Sequence, residues 1–196
     1  MEKLLNDFGD HVSRSLADIH DVPQAGFLAA KQMANVLQRT PMHLRSVRRE
    51  NPLSDELEAA LGLACQLDEP VSKFVPSFSK FADQLPWYRR AARGDVVFEH
   101  GYINAEVIGP KGIVFSDEIT VGVTLMRPDI VYPDHHHPPE EVYIVLSPGF
   151  WRQKDEEWWA PGPGGYVYNV PDILHAMKSD ADPLFAIWCL NLSPEI

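Results

Sequence analysis

From Val96 onward the chain is cut into short β-rich runs separated by turn dipeptides, and that rhythm leaves few folds open. The runs are Val96 to Phe98, Asn104 to Ile108, Thr120 to Met126, Val142 to Leu146, Gly165 to Val170 and Leu184 to Leu192. Gly109-Pro110, Pro128-Asp129, Pro148-Gly149 and Asp182-Pro183 stand between them. Proline cannot continue a ladder, and glycine and aspartate tolerate turn backbones, so such pairs end strands. Short strands at this spacing close into a sandwich or a barrel. The run Pro161-Gly162-Pro163-Gly164-Gly165 reads as one more turn, not as a linker.

The first ninety residues keep a helical period. Leu4, Leu5, Phe8, Val12, Leu16 and Ile19 recur at helical spacing up to Pro23. Phe27, Leu28, Ala30, Met33, Ala34 and Leu37 form a second stripe that ends before Pro41. Asp55 and Glu56 favour a helix start, because acidic groups suit the positive helix N-terminus. Leu57, Ala60, Leu61, Ala64 and Cys65 continue that helix, and Pro70, Pro76 and Pro86 divide the next stretch of chain into short pieces. The expected organisation is a helical region over 1–92 packed on a mainly β barrel over 93–196, with the boundary at Ala92 to Asp95. Cys65 and Cys189 are expected as buried small apolar residues.

The formal net charge of -11 disfavours nucleic acid and anionic membrane surfaces, both of which need clustered Lys and Arg. Arg39, Arg45, Arg48 and Arg49 form a local basic patch, but no helix-turn-helix is legible around it. Met1 to Leu16 lacks the continuous apolar core of a secretory signal. No stretch approaches the roughly 18–20 apolar residues that cross a bilayer. The expectation is a soluble, cytoplasmic protein. Its helical half covers the outer sheet or forms a homodimer contact.

The segment richest in chemistry is Tyr132-Pro-Asp-His-His-His-Pro-Pro-Glu-Glu-Val-Tyr143. Side chains alternate faces along an extended chain, so His135 and His137 share one face and His136 takes the other. Glu141 and Tyr143 have the same parity as His135 and His137, provided Pro138-Pro139 does not break it. Two imidazoles and a carboxylate on one face suit a first-row divalent metal. His175, the one histidine C-terminal to the cluster, is the candidate further ligand.

These residues carry a resemblance. His135-x-His137-x3-Glu141 resembles the first motif of the cupin family, and Gly165-x5-Pro171 with His175 resembles the second. The spacing from Pro171 to His175 is one residue short of the usual pattern, and Ile173 stands where glycine is common. The resemblance covers about residues 93–196 and implies a double-stranded β-helix with a metal inside its mouth. Tyr132, Tyr143 and the run Gly149-Phe150-Trp151-Arg152 narrow it to the cupin-type dimethylsulfoniopropionate lyases, the DddQ type. That narrower resemblance covers nearly the whole chain. It implies cleavage of a sulfonium zwitterion to dimethyl sulfide and acrylate, with His137, Glu141, Tyr143 and His175 as the metal site. His135 would then stand behind these ligands or serve as an alternate one. Zinc, iron, manganese, cobalt and nickel all suit such a donor set.

The implied β-elimination needs a base for a proton α to a carboxylate. A free phenol has a pKa of about 10, and a nearby cation favours its charged form. Tyr143 is the candidate base, and Tyr132 the alternative base or a substrate-positioning hydroxyl. For either, the structural alternative is an aromatic core residue bonded to backbone. Aromatic faces attract a sulfonium through cation–π interaction. Candidates for that wall are Trp151, Tyr166 and Trp188, with Trp158, Trp159 and Tyr168 behind them, although any one of these can be simple packing. The competing reading is a cupin dioxygenase, since two His and a carboxylate also suit Fe(II) and dioxygen.

Overall fold

The structure is a computed structural model and describes residues 1–46, 50–89 and 96–192. The expected boundary at Ala92 to Asp95, and Arg48 and Arg49 of the basic patch, lie outside the described residues. Helices α1 (Glu2–Ala17), α2 (Gln24–Arg39) and α3 (Ser54–Ala64) come first. A short 3-10 turn, Val71–Phe74, then runs into α4 (Val75–Phe78). The strands are β1 (Tyr102–Ile108), β2 (Ile119–Met126), β3 (Val131–His135), β4 (Glu141–Val145), β5 (Phe150–Gln153), β6 (Tyr166–Asn169), β7 (His175–Lys178) and β8 (Leu184–Asn191). They form a five-stranded sheet in the order β1-β2-β8-β4-β6 and a three-stranded sheet in the order β3-β7-β5, with antiparallel pairing throughout.

The large sheet is buried on both faces. Its outward set includes Ile103, Ala105, Val121, Val123, Leu125, Val142, Ile144, Phe185 and Ile187, which share one core with α1, α2 and α3. Strands covered on both faces read as near-continuous apolar runs, and β1, β2 and β4 are such runs. Phe185 on β8 meets Phe74 and Phe78, and these two rings in turn meet Phe8 of α1. Full burial of one such ring stabilises by about 1.5–3 kcal/mol. This aromatic cluster therefore fixes the helices on the sheet. At Gly26 of α2, an added Cβ would come within 2.7 Å of the Tyr168 ring, so the missing side chain lets the helix sit down on β6.

The inward set forms a second core: Tyr102, Met126, Tyr143, Val145, Val167, Leu184, Ala186 and Trp188 face Tyr132, Trp151 and Met177 of the small sheet. The small sheet turns its other face to solvent. Val131 is exposed, and Phe150, Arg152 and Lys178 are half-buried there. Lys178 lies over the Phe150 and Trp158 rings, and Arg152 over Trp158.

Three expectations need correction. Val96 to Phe98 is not a strand: it opens α5 (Val96–Gly101), which runs straight into β1. One helical turn brings Phe98 over Tyr102, four residues on, with ring centroids 4.1 Å apart and planes 5° apart. Val96 and Val97, which read as strand formers, point into solvent. Cys65 is exposed at the C-terminal end of α3, while Cys189 is buried in the outward face of β8. Tyr166 belongs to the outward set, because in β6 it alternates with the inward Val167. Burial and the nearby Asp18 push its phenol up to about 12, and its hydroxyl donates to the Ser15 carbonyl of α1 at 2.9 Å. Tyr166 thus anchors a helix and faces away from the inner cavity.

Tyr166→Phe is accordingly expected to cost about 1 kcal/mol of stability, the usual worth of one buried hydrogen bond. Chemical denaturation checks this, and metal content measured on the same samples should be unchanged.

Candidate metal centre

His137, Glu141 and His175 meet in the barrel interior. One ligating atom from each lies within 4.8 Å of the others. The two sheets contribute jointly. Glu141 opens β4 of the large sheet, and His175 opens β7 of the small one. His137 comes from the loop between β3 and β4, where its carbonyl accepts from the Asp172 amide at 3.0 Å. Glu141 and His175 are almost wholly buried, and His137 is half-buried.

The hydrogen bonds fix which atoms face inward. His137 Nδ1 lies 2.9 Å from the Pro139 carbonyl, and His175 Nδ1 lies 2.9 Å from the Ile173 carbonyl. A carbonyl only accepts, so each Nδ1 carries a proton, and in the neutral ring each Nε2 offers a lone pair. These Nε2 atoms stand 3.4 and 3.3 Å from the same oxygen, Glu141 Oε2. Nε2 of His175 is buried without a hydrogen-bond partner. Three acceptors converging in a buried site repel one another unless a cation joins them, so the donor set fits a divalent ion. With a proton in place of an ion on each Nε2, burial pushes the Glu141 carboxyl up, but hydrogen bonds and positive charge from the two imidazoles more than offset this and hold it well below the usual carboxylate range.

A residue absent from the sequence expectations completes the set. Asn169 ends β6 directly opposite Glu141 and donates Nδ2 to Glu141 Oε2 at 2.9 Å. Gln153 of β5 donates to Asn169 Oδ1 and to the Tyr168 carbonyl, both at 2.7 Å. The carbonyl sets the polarity of this chain: it forces Gln153 to present its amide hydrogens, and Gln153 in turn forces Asn169 to present its own to the carboxylate. The same link ties the two sheets together. The signal available in the sequence is parity, since Asn169 is a polar residue on the inward side of Tyr166-Val-Tyr-Asn169.

The remaining expected residues divide between the cavity around this cluster and positions outside it. His135 pairs with His175 across β3 and β7, with ring centroids 4.1 Å apart. His135 lines the cavity but is not one of the three converging donors. Tyr132 has the opposite parity to His135. An irregularity in the β3–β7 register between them lets both line the cavity. His136 is exposed beside Asp172. Tyr143 and Trp188 line the same cavity, with Asn104, Thr124, Met177 and Leu190. Trp188 lies across Gly122 of β2, where a Cβ would fall 2.1 Å from the indole. Trp151 packs edge-on behind Tyr143 at 5.9 Å and is not part of the cavity lining. Trp159 and Tyr166 line a separate, larger cleft beside the end of α1, and Tyr168 bonds Glu140 on the outer side. In the basic patch, Arg39 pairs with Glu118.

A five-plus-three antiparallel barrel with this imidazole–carboxylate cluster inside it is a cupin. The model of the dimethylsulfoniopropionate lyase family matches residues 28–186, and the chain belongs to that family. It is 27% identical over 154 residues to DddL of Cereibacter sphaeroides, whose lyase activity is itself a provisional assignment. That match takes in 76% of this chain and 65% of DddL. The chain is 29% identical over 82 residues to the dimethylsulfoniopropionate lyase DddQ of Ruegeria pomeroyi, 41% of each chain. It thus spans less than two thirds of either relative. Among solved structures, a chain from the study of the lyases RdDddP and RnDddQII superposes with a TM-score of 0.69 at 17% identity, covering 96% of this chain and 92% of that one. DddQ from Ruegeria pomeroyi DSS-3 superposes with a TM-score of 0.62 at 20% identity, covering 95% and 94%. At these identities the superpositions speak for the fold.

Asn169→Leu is expected to weaken metal binding about tenfold, because partners that orient a ligand typically carry that much affinity. Chelator competition on the folded variant measures it. Gly122→Ala should displace the Trp188 indole and cost about 1–3 kcal/mol of stability through overpacking. Thermal unfolding and a shift in tryptophan emission would report that change.

Proposed function

We propose that this protein cleaves dimethylsulfoniopropionate into dimethyl sulfide and acrylate by β-elimination. The observation that carries the reading is the position of Tyr143. It stands two residues after Glu141 on the same face of β4 and lines the cavity that also receives His137 and Glu141. Family membership supports the same substrate, and the relatives DddL and DddQ bear the name of this lyase.

A divalent ion held by His137, Glu141 and His175 would supply positive charge for the substrate carboxylate and for a neighbouring phenolate. Tyr143 acts as the base and takes the proton α to the carboxylate. The electron pair left on that carbon forms the double bond of acrylate. The bond from the β carbon to sulfur breaks, and its electrons leave on dimethyl sulfide. Tyr132, in the same cavity beside His135, positions the substrate. The Trp188 face offers the sulfonium a cation–π wall worth roughly 0.5–2 kcal/mol. His135 backs His175 and steadies its ring.

Headspace dimethyl sulfide tests this reading on wild type, Tyr143→Phe and His175→Ala, with metal content measured on each. The expected result is release by wild type, a loss of at least about a hundredfold in Tyr143→Phe with metal retained, and loss of both metal and activity in His175→Ala. Metal-replete wild type that releases no dimethyl sulfide would sink the lyase and turn attention to dioxygen consumption by the iron-loaded protein.

A further inference from the structure

Beyond β8 from β4 in the large sheet, the cavity wall carries a polar pair that neither the metal cluster nor the base uses. Asn104 of β1 and Thr124 of β2 are direct cross-strand partners. Asn104 exchanges both backbone hydrogen bonds with Tyr88, at 2.8 and 2.9 Å, on the side away from β2. It therefore meets Thr124 as a non-hydrogen-bonded pair, the arrangement that brings side chains closest. The Thr124 hydroxyl donates to Asn104 Oδ1 at 2.7 Å. Both residues are buried, with exposures of 4% and 2%, and both line the cavity with Glu141, His137, Tyr143 and Trp188.

The polarity of this pair has a consequence for the ligand. With Oδ1 accepting from Thr124, Asn104 has its amide hydrogens to offer to a ligand in the cavity that it lines. An amide donor on the wall of a closed cavity is best satisfied by a ligand that brings an acceptor to it. Of the two ends of a sulfonium zwitterion, only the carboxylate accepts hydrogen bonds, since the sulfur carries the positive charge. We infer that Asn104, held in place by its hydrogen bond with Thr124, donates to the substrate carboxylate and selects for a ligand that has one. This rests on the lyase reading for the identity of the substrate, but the donor and its orientation do not depend on turnover.

The test uses the metal-loaded protein and two probes, acrylate for the carboxylate end and trimethylsulfonium for the cationic end, each titrated by calorimetry. Asn104→Leu removes the donor at similar size. Thr124→Val frees the amide to turn, and Thr124→Ser keeps the locking hydroxyl. Acrylate dissociation constants are expected to rise about tenfold in Asn104→Leu and severalfold in Thr124→Val, and to stay within about twofold in Thr124→Ser. Trimethylsulfonium binding and metal content should not move. Unchanged acrylate affinity in a metal-replete Asn104→Leu would overturn the assignment, as would equal weakening of both probes. If Asn104→Leu does not fold, the threonine variants decide: Val weaker than Ser supports the role, and no difference between them overturns it. Wild type that binds acrylate through Asn104 yet releases no dimethyl sulfide would retire the lyase while leaving the carboxylate site in place.

Discussion

Two imidazole lone pairs and a carboxylate oxygen cannot be held together in a buried cavity without something to oppose their repulsion. Much of the barrel reads as an answer to that constraint. Backbone carbonyls of Pro139 and Ile173 pin the outer nitrogens of His137 and His175, so neither ring can turn away. Asn169 holds Glu141 from the side, and Gln153 holds Asn169. The anchors come from both sheets and from the loops that join them. The geometry of the cluster is therefore a property of the closed barrel and not of any one segment.

The helical half makes this polar interior physically tolerable. With α1, α2 and α3 covering the outward face, apolar burial there supplies much of the driving force for folding. The inward face is then free to carry Glu141, Asn169, Asn104 and Thr124, each of which needs a partner to be tolerated. The phenylalanine cluster on Phe185 and the hydroxyl of Tyr166 tie the helices to the strands whose other faces form the cavity wall.

How legible each strand is in the sequence depends on which of its faces are covered. The strands of the large sheet stand out because both faces are buried and the runs are largely apolar. β3, β5 and β7 do not, because they are short and polar residues such as Asp134, Arg152 and Lys178 interrupt the pattern. Val96 and Val97 mislead because β-branched residues favour strands, whereas their stretch is set by the stacking of Phe98 on Tyr102. The clustering of His137 with Glu141 is readable from spacing, and His175 from the second motif. The roles of Asn104, Asn169 and Gln153 are not, because each depends on a partner more than fifteen residues away in the chain, brought close only by sheet pairing and barrel closure.

In β4 the residues alternate strictly between two tasks. Glu141 and Tyr143 face the cavity, while Val142 and Ile144 face the helices. Substitutions can therefore accumulate on one face with little cost to the other, and lineages sharing this barrel can diverge in ligand preference while keeping their helical cover. Insertion or loss of a single residue in β4 is a different matter. It would swap the two sets at a stroke, burying a carboxylate among phenylalanines and presenting valine to the site. Packing thus constrains the length of this strand far more tightly than the identity of its residues, and descent in such a family should be written in point changes there and in insertions at the turns.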